Sequence, residues 1–364
     1  MNIKEVTNYL EELAPLNYAE DFDNVGLLVG SYQTEVSGIL VTLDTLEETV
    51  NEAIAKKCNL IISFHPIIFE GLKKLNGNSY VERVVLKAIK NDIAIYATHT
   101  ALDNSKNGVS AKMSEVLGLE NTKILIPKKG IIKKLTTYAP VDKAEALRKV
   151  LYKAGAGSIG NYDNCSFNIN GKGTFRGNEN SNPVLGEKGK DHTEEETQIN
   201  VVFESKNEAS ILKALKKNHY YEEVAYEIVT TENVHQDIGM GMIGELPEEM
   251  EEKDFLLFLK ETMKTDCVRY SEFLNKKIKK VAVLGGSGSF AISNAKRAGA
   301  DAYVSADFKY HEFFKAEKSI LLADIGHYES EQFTKNLLVD YLTKKFSNFA
   351  VVLSEKSTNP IYYI

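Results

Sequence analysis

"GILVTLDTLEETVNEAIAKKCNLIISFHP", residues Gly38–Pro66, decides the fold. Its ends, "GILVTLD" and "NLIISFHP", are short β-rich apolar runs, and "TLEETVNEAIAKK" between them reads as a helix. The alternation continues through "SYVERVVLKAIKN" to "IAIYATHT", ending at about His99. Continuous apolar strands separated by helices of this length predict a parallel sheet covered on both faces. Residues at the carboxyl ends of such strands crowd into one crevice, where open α/β sheets bind ligands. Asp44, His65, His99 and Asp103 are therefore candidates for one edge. A lone histidine after a strand is more often a satisfied structural residue than a ligand. His65 becomes a ligand candidate only if other strand ends deliver further ligand-type residues.

A second α/β block begins near Lys279. It runs "KKVAVLGG", a glycine loop, a helix through "ISNAKRAGA", the strand "DAYVSAD", a short helix "KYHEFFKAE", the strand "SILLADIGH" and a long helix "ESEQFTKNLLVDYLTKKF". In that helix Phe333, Leu337, Leu338, Tyr341 and Leu342 recur with the spacing of a surface-helix stripe. The strand "NFAVVLSE" closes this block. Between the blocks, roughly Lys133–Thr230, two strand–helix units predict a ferredoxin-like module inserted in the larger protein. Within it "NENSNPVLGEKGKDHTEEET", Asn178–Thr197, is polar and turn-rich and predicts a mobile loop. The expected organisation is an α/β fold in two parts, residues 1–130 and 232–364, with an α+β insertion at 131–231.

A chain of 364 residues exceeds the size at which one core usually stops growing, and 43% apolar residues suffice for well-packed domains. The net charge of -7 argues against bulk nucleic-acid binding, which needs surplus Lys and Arg to displace counterions. "NKKIKK", Asn275–Lys280, is a local exception that reads as a solvated turn before a strand. Cys58, Cys165 and Cys267 are far apart, in no C-x-x-C pairing, and look like reduced thiols. The N-terminus lacks the pattern of a signal peptide, and no apolar run approaches the ~20 residues that span a bilayer. A soluble, cytoplasmic protein with no membrane association is expected.

Three constellations can carry chemistry. In "DIGHYESE", Asp324–Glu331, His327 and Glu331 are four apart at a helix start, so both can face one ion. Imidazole plus carboxylate suits zinc, iron or manganese, although acids also favour first helical turns for dipole reasons. "THTALDNSKNG" places His99 and Asp103 after a strand, and a backbone-capping turn explains it as well. "DFKYHEFF" carries Asp307 and His311 beyond another strand. Four of the seven histidines, His65, His99, His311 and His327, thus follow strands, a joint pattern that favours a metal crevice. "LGGSGSFA", Leu284–Ala291, fits G-x-G-x-x-A with Asp307 about 20 residues on, so dinucleotide binding at Gly286 and Gly288 is a second reading. A tight turn that lets a helix pack on the sheet explains those glycines equally well.

Taken together, "DFDNVGLLVG", "SFHPIIFEGL", "HTALDNSKNG", "GGSGSF", "DFKYHEF", "DIGHYESE" and "STNPIYYI" resemble the dinuclear-metal-centre family of GTP cyclohydrolase 1 type 2 homologues, the NGG-interacting-factor-three-like proteins. The middle segment, with "AGAGSIGNYDNCSF", "GKGTFRG" and "HYYEEVAYEI", resembles the PII-like insertion of the long bacterial members. The resemblance implies a toroidal homohexamer with one or two divalent metal ions per chain. It implies metal ligands at His65, Asp103, His327 and Glu331, with Glu331 bridging. His99 and His311 would move protons or orient ligands. Phe64 stands where the family usually has the first of two adjacent histidines, so one of two metal sites has lost a ligand. The implied activity is a metal-dependent hydrolase in which metal-activated water attacks a nucleotide or other small heterocycle. A metal-bearing sensor, chaperone or scaffold without turnover is the alternative.

Overall fold

Ile39–Thr42, Leu60–Ser63 and Ala94–Ala97 are strands in which every residue is buried, and they pair in parallel. The reason for their continuous apolarity lies on both sides. Leu40, Ile61 and Ile95 pack with Val50, Ala53, Val84, Val85 and Ala88 of the helices Glu47–Ala55 and Tyr80–Lys90. Ile39, Val41, Leu60, Ile62 and Tyr96 pack with Ile3, Val6, Leu10, Leu338 and Leu342 from the helices Ile3–Leu13 and Thr334–Lys345. Successive strand residues point to opposite faces, so a sheet buried on both needs no polar alternation. The N-terminal helix starts on a capping box in which Asn2 and Glu5 satisfy each other's backbone N–H groups.

The computed structural model describes all residues, Met1–Ile364. The chain forms two compact units, Met1–Pro127 with Gln236–Ile364, and Lys128–His235. In the first unit the five-stranded sheet has the order Gly26–Val29, Ala94–Ala97, Leu60–Ser63, Ile39–Thr42, Val351–Leu353, all parallel except Gly26–Val29. A six-stranded sheet in the same unit has the order Arg269–Tyr270, Leu321–Asp324, Ala302–Ala306, Lys277–Ser287, Gly239–Glu251, Glu120–Pro127. Its three middle neighbours, from Leu321–Asp324 to Lys277–Ser287, are parallel and the outer pairings antiparallel. No helix is long and apolar enough to cross a membrane.

Three expectations change. The last strand, Val351–Leu353, does not close the second block; it pairs in parallel with Ile39–Val41 at the edge of the first sheet. The preceding helix explains this, because Leu338 and Leu342 are fully buried in the core under that first sheet. The long helix after His327 is two, His327–Glu331 and Thr334–Lys345, broken at Gln332 and Phe333. The polar stretch Asn178–Thr197 is loop only to Lys190, since Asp191–Glu204 is one long strand. Its charged residues occupy a ladder running from Asp191 opposite Arg176 to Asn200 opposite Phe167. Main-chain pairing, which polar side chains do not prevent, orders the segment.

In Lys128–His235 the strands run in the sheet order Phe167–Arg176, Asp191–Glu204, Ile132–Pro140, Tyr226–Thr230, all antiparallel. Helices Val141–Lys153 and Glu208–Asn218 bury Leu147, Leu151, Ile211 and Leu215 against Leu135, Ile199, Val201 and Phe203. Chain order and sheet order together are those of the ferredoxin-like fold.

Candidate metal centre

Two strand ends of the first sheet and two of the second build the site in the unit Met1–Pro127 with Gln236–Ile364. Leu60–Ser63 ends in Phe64 and His65, whose backbone N–H groups still donate to Thr42 and Leu43 carbonyls of the neighbouring strand, at 3.1 and 2.9 Å. That extra pairing fixes His65 beside Asp44, whose Oδ1 lies 2.8 Å from His65 Nδ1. In the second sheet, Leu321–Asp324 leads through Gly326, φ +93°, into the helix that His327 opens. Asp307, just past Ala302–Ala306, places Oδ2 2.7 Å from His327 Nδ1. Glu331 lies one turn after His327.

The two imidazoles meet on Glu331. Its Oε2 is 3.2 Å from His65 Nε2 and 3.3 Å from His327 Nε2, yet has hydrogen-bond geometry to neither. These separations match the roughly 3.3 Å edge between ligands each about 2.0 Å from one tetrahedral centre. His65, His327 and Glu331 could hold a metal ion, all their ligand atoms lying within 4.8 Å of one another. A buried carboxylate oxygen without an aligned hydrogen bond, facing two nitrogens, fits a cation better than it fits an empty core.

His99 begins the helix after Ala94–Ala97 and lines a cavity of about 200 Å³ with Asp103, His327 and Glu331. Its Nδ1 lies 2.7 Å from Asp23 Oδ1, while Asp23 Oδ2 accepts from the Thr100 N–H at 3.0 Å. His65, His99 and His327 are thus each held from behind by an aspartate, which selects the tautomer leaving Nε2 as the acceptor or ligand atom. Two of the residues involved sit in the left-handed region, His99 at φ +25° and Asp307 at φ +58°. Non-glycine residues persist there only where the surroundings enforce it, as at functional sites.

Charge is strongly organised. Burial opposes protonation of His65, but Glu331 and Asp44 overcome it and raise its pKa to about 10. Burial, then Asp307 and Glu331, act in the same opposed way on His327, which rises to about 11. Glu331 is pulled down to about 2 against its own burial by His65 and His327. Burial and the neighbouring Glu331 push Asp103 well above the usual carboxylate range. Asp103 and Glu331 are thus shifted in opposite directions within one pocket.

The glycine loop is part of this architecture. A Cβ on Gly286, φ +70°, would stand 2.4 Å from Glu331 Oε1, and its N–H donates to Ser330 Oγ at 2.8 Å. A Cβ on Gly288 would meet Ser305 Oγ at 2.0 Å. Both glycines are required by close packing against Glu331 and the adjacent strand, and Asp307 is occupied by His327. The C-terminal "STNP" also serves the site, with Thr358 donating to Asp44 and Asn359 to Glu329.

Of the residues singled out in the sequence, the structure brings His65, His327 and Glu331 together and sets His99 and Asp103 in a cavity that His327 and Glu331 also line. His311 is not brought in; it is exposed, its ring against Tyr310 and Phe314, and does not line the cavity. Phe64 is fully buried, its ring against those of His65 and His99, and offers no donor atom. Asp23 and the role of Asp307 went unnoticed in the sequence, because no spacing links them to histidines 76 and 20 residues away.

Fold and site define an α/β protein with a half-buried imidazole–carboxylate centre suited to a cation. The chain belongs to the Duf34/NIF3 (NGG1p interacting factor 3) family, whose profile matches residues 1–360. It is 37% identical over 371 residues to the GTP cyclohydrolase 1 type 2 homolog of Bacillus subtilis, covering 100% of this chain and 99% of that one. The protein of the same name from Halalkalibacterium halodurans is 35% identical over 368 residues, with 100% and 99% covered. Among solved structures, a Bacillus cereus protein related to NIF3 superposes with a TM-score of 0.83 at 36% identity, covering 100% of this chain and 99% of that one.

Proposed function

We propose that this chain is a divalent-cation-dependent hydrolase acting on a nucleotide or another small heterocycle, with His65, His327 and Glu331 holding the cation and Asp103 beside them. The observation that carries the reading is Glu331 Oε2, buried, without an aligned hydrogen bond, and 3.2 to 3.3 Å from two imidazole nitrogens. Zinc, iron and manganese all accept this donor set. When bound, such a cation acidifies water and polarises substrate oxygens. The protein's own contribution is positional: Asp44 and Asp307 fix the two ligating rings. His99, with Nδ1 committed to Asp23, keeps Nε2 to take or return a proton. The name shared by the Bacillus subtilis and Halalkalibacterium halodurans relatives supports a heterocyclic substrate.

The decisive experiment is metal analysis of purified protein joined to a hydrolysis screen over nucleotides, for wild type, Glu331→Ala and Asp103→Ala. Wild type should carry about one ion per chain and both variants should lose it along with turnover. Wild-type protein without metal overturns the reading. Phe64→His should raise the content from about one to about two ions per chain, because Phe64 leaves a donor position empty. Metal without turnover would favour a metal-bearing sensor or scaffold, a reading supported by a separate cavity in Lys128–His235. A toroidal homohexamer is proposed on the resemblance, and the mass in solution checks it.

A further inference from the structure

A second cavity is remote in sequence from every residue of the metal centre. It measures about 450 Å³ and lies wholly within Lys128–His235, between the hairpin Phe167–Arg176/Asp191–Glu204, the loop Gly177–Leu185 and the segment Tyr221–Ala225. Volumes of this order bury most of a small ligand. The loop that walls it is tied down, Asn182 N–H donating to Glu222 Oε2 at 2.7 Å and Gly189 N–H to the Gly177 carbonyl at 2.7 Å.

Two kinds of wall meet there. Phe175 and Tyr221, ring centroids 6.0 Å apart and inclined by 60°, make an aromatic corner continued by Val184 and Leu185. Against it stands Glu196, whose Oε1 accepts from Tyr221 Oη at 2.6 Å and whose Oε2 has no protein donor. A Cβ at Gly173 would lie 2.0 Å from that Oε2, so only glycine lets the carboxylate lean over the strand into the cavity wall. Arg176, the one cationic side chain of the walls, is already forked onto Asp191, Nε to Oδ1 at 2.7 Å. Glu222 and Glu223 add further negative charge. A phosphate or carboxylate would find no free cation here and would face like charge, whereas a ring with N–H donors satisfies both the corner and the carboxylate.

We propose that Lys128–His235 carries a ligand site of its own for a planar, N–H-donating nitrogen heterocycle without phosphate, a purine nucleoside being the representative. The aromatic corner of Phe175 and Tyr221 stacks on the ring and Glu196 Oε2 accepts its N–H. The site stands independently of the metal centre and of any turnover there.

Calorimetric titration of the full-length protein with adenosine and guanosine, and in parallel with AMP and GMP, tests this. At least one nucleoside should bind, and Glu196→Gln should weaken it about tenfold or more, the scale of a lost charge-assisted hydrogen bond, while metal content stays at the wild-type level. Any binding of AMP or GMP should be insensitive to Glu196→Gln. Phe175→Ala should weaken nucleoside binding as well, and it carries the test if Glu196→Gln lowers the melting temperature. No nucleoside binding, binding untouched by both substitutions, or nucleotides showing the same dependence on Glu196 would overturn the proposal.

Discussion

His65 and His327 arrive at Glu331 with Nδ1 already engaged by Asp44 and Asp307, and the orientation of each ring is therefore decided before any cation enters. Removing the partner frees the ring and its tautomer. Asp44→Ala and Asp307→Ala are each expected to weaken metal affinity by about 10- to 100-fold, read by competition with a chromophoric chelator, with the circular dichroism spectrum unchanged. Undiminished affinity would show that the aspartates do not orient the ligands. Protons substitute for the cation in the metal-free site. His65 and His327 rise from 6.5 to about 10 and about 11, so their stabilisation is whole below pH 6.5 and lost as pH climbs through those values. Glu331 falls from 4.5 to about 2, so its contribution is present above pH 4.5 and lost as pH drops toward 2. Chelator-treated protein should therefore lose melting temperature from neutral pH to about 10, while metal binding releases protons and tightens as pH rises. A metal-free protein that gains stability over that alkaline range would contradict this charge arrangement.

At the scale of elements, the helix Thr334–Lys345 links the two sheets of its unit. It follows the His327–Glu331 turn of one sheet and buries Leu338 and Leu342 in the core of the other. Leu338→Ala should cost about 2 to 5 kcal/mol, seen as a lower urea midpoint. A change below about 0.5 kcal/mol would mean that the helix is not held by this stripe. The helical stripe itself was readable from Phe333, Leu337, Leu338, Tyr341 and Leu342, but not the sheet it would cover. Three half-buried residues, Val351–Leu353, carry no mark of which edge they will join. The ladder Asp191–Glu204 was hidden for the opposite reason, since its outer half is charged and its order comes from main-chain pairing.

For the whole molecule, the position of the inserted unit matters. Lys128–His235 leaves and re-enters between two strands that are already neighbours, with Pro127 paired opposite Gly239. Replacing Lys128–His235 by a short turn should leave a folded protein that still binds one metal ion per chain, checked by circular dichroism and metal analysis. An unfolded or metal-free product would show that the inserted unit is needed to support the other.

The parallel sheet, its flanking helices and the histidines at strand ends were determined by sequence alone, because burial on two faces writes itself into apolar runs and chain reversal places their ends in one crevice. Which aspartate holds which histidine, that Gly286 is bare to admit Glu331, that Asp103 is shifted upward while Glu331 is shifted downward, and that the last strand completes the first sheet were decided only by tertiary structure. These depend on distances between strand ends far apart in the chain, and electrostatic and steric effects act through those distances rather than through sequence spacing.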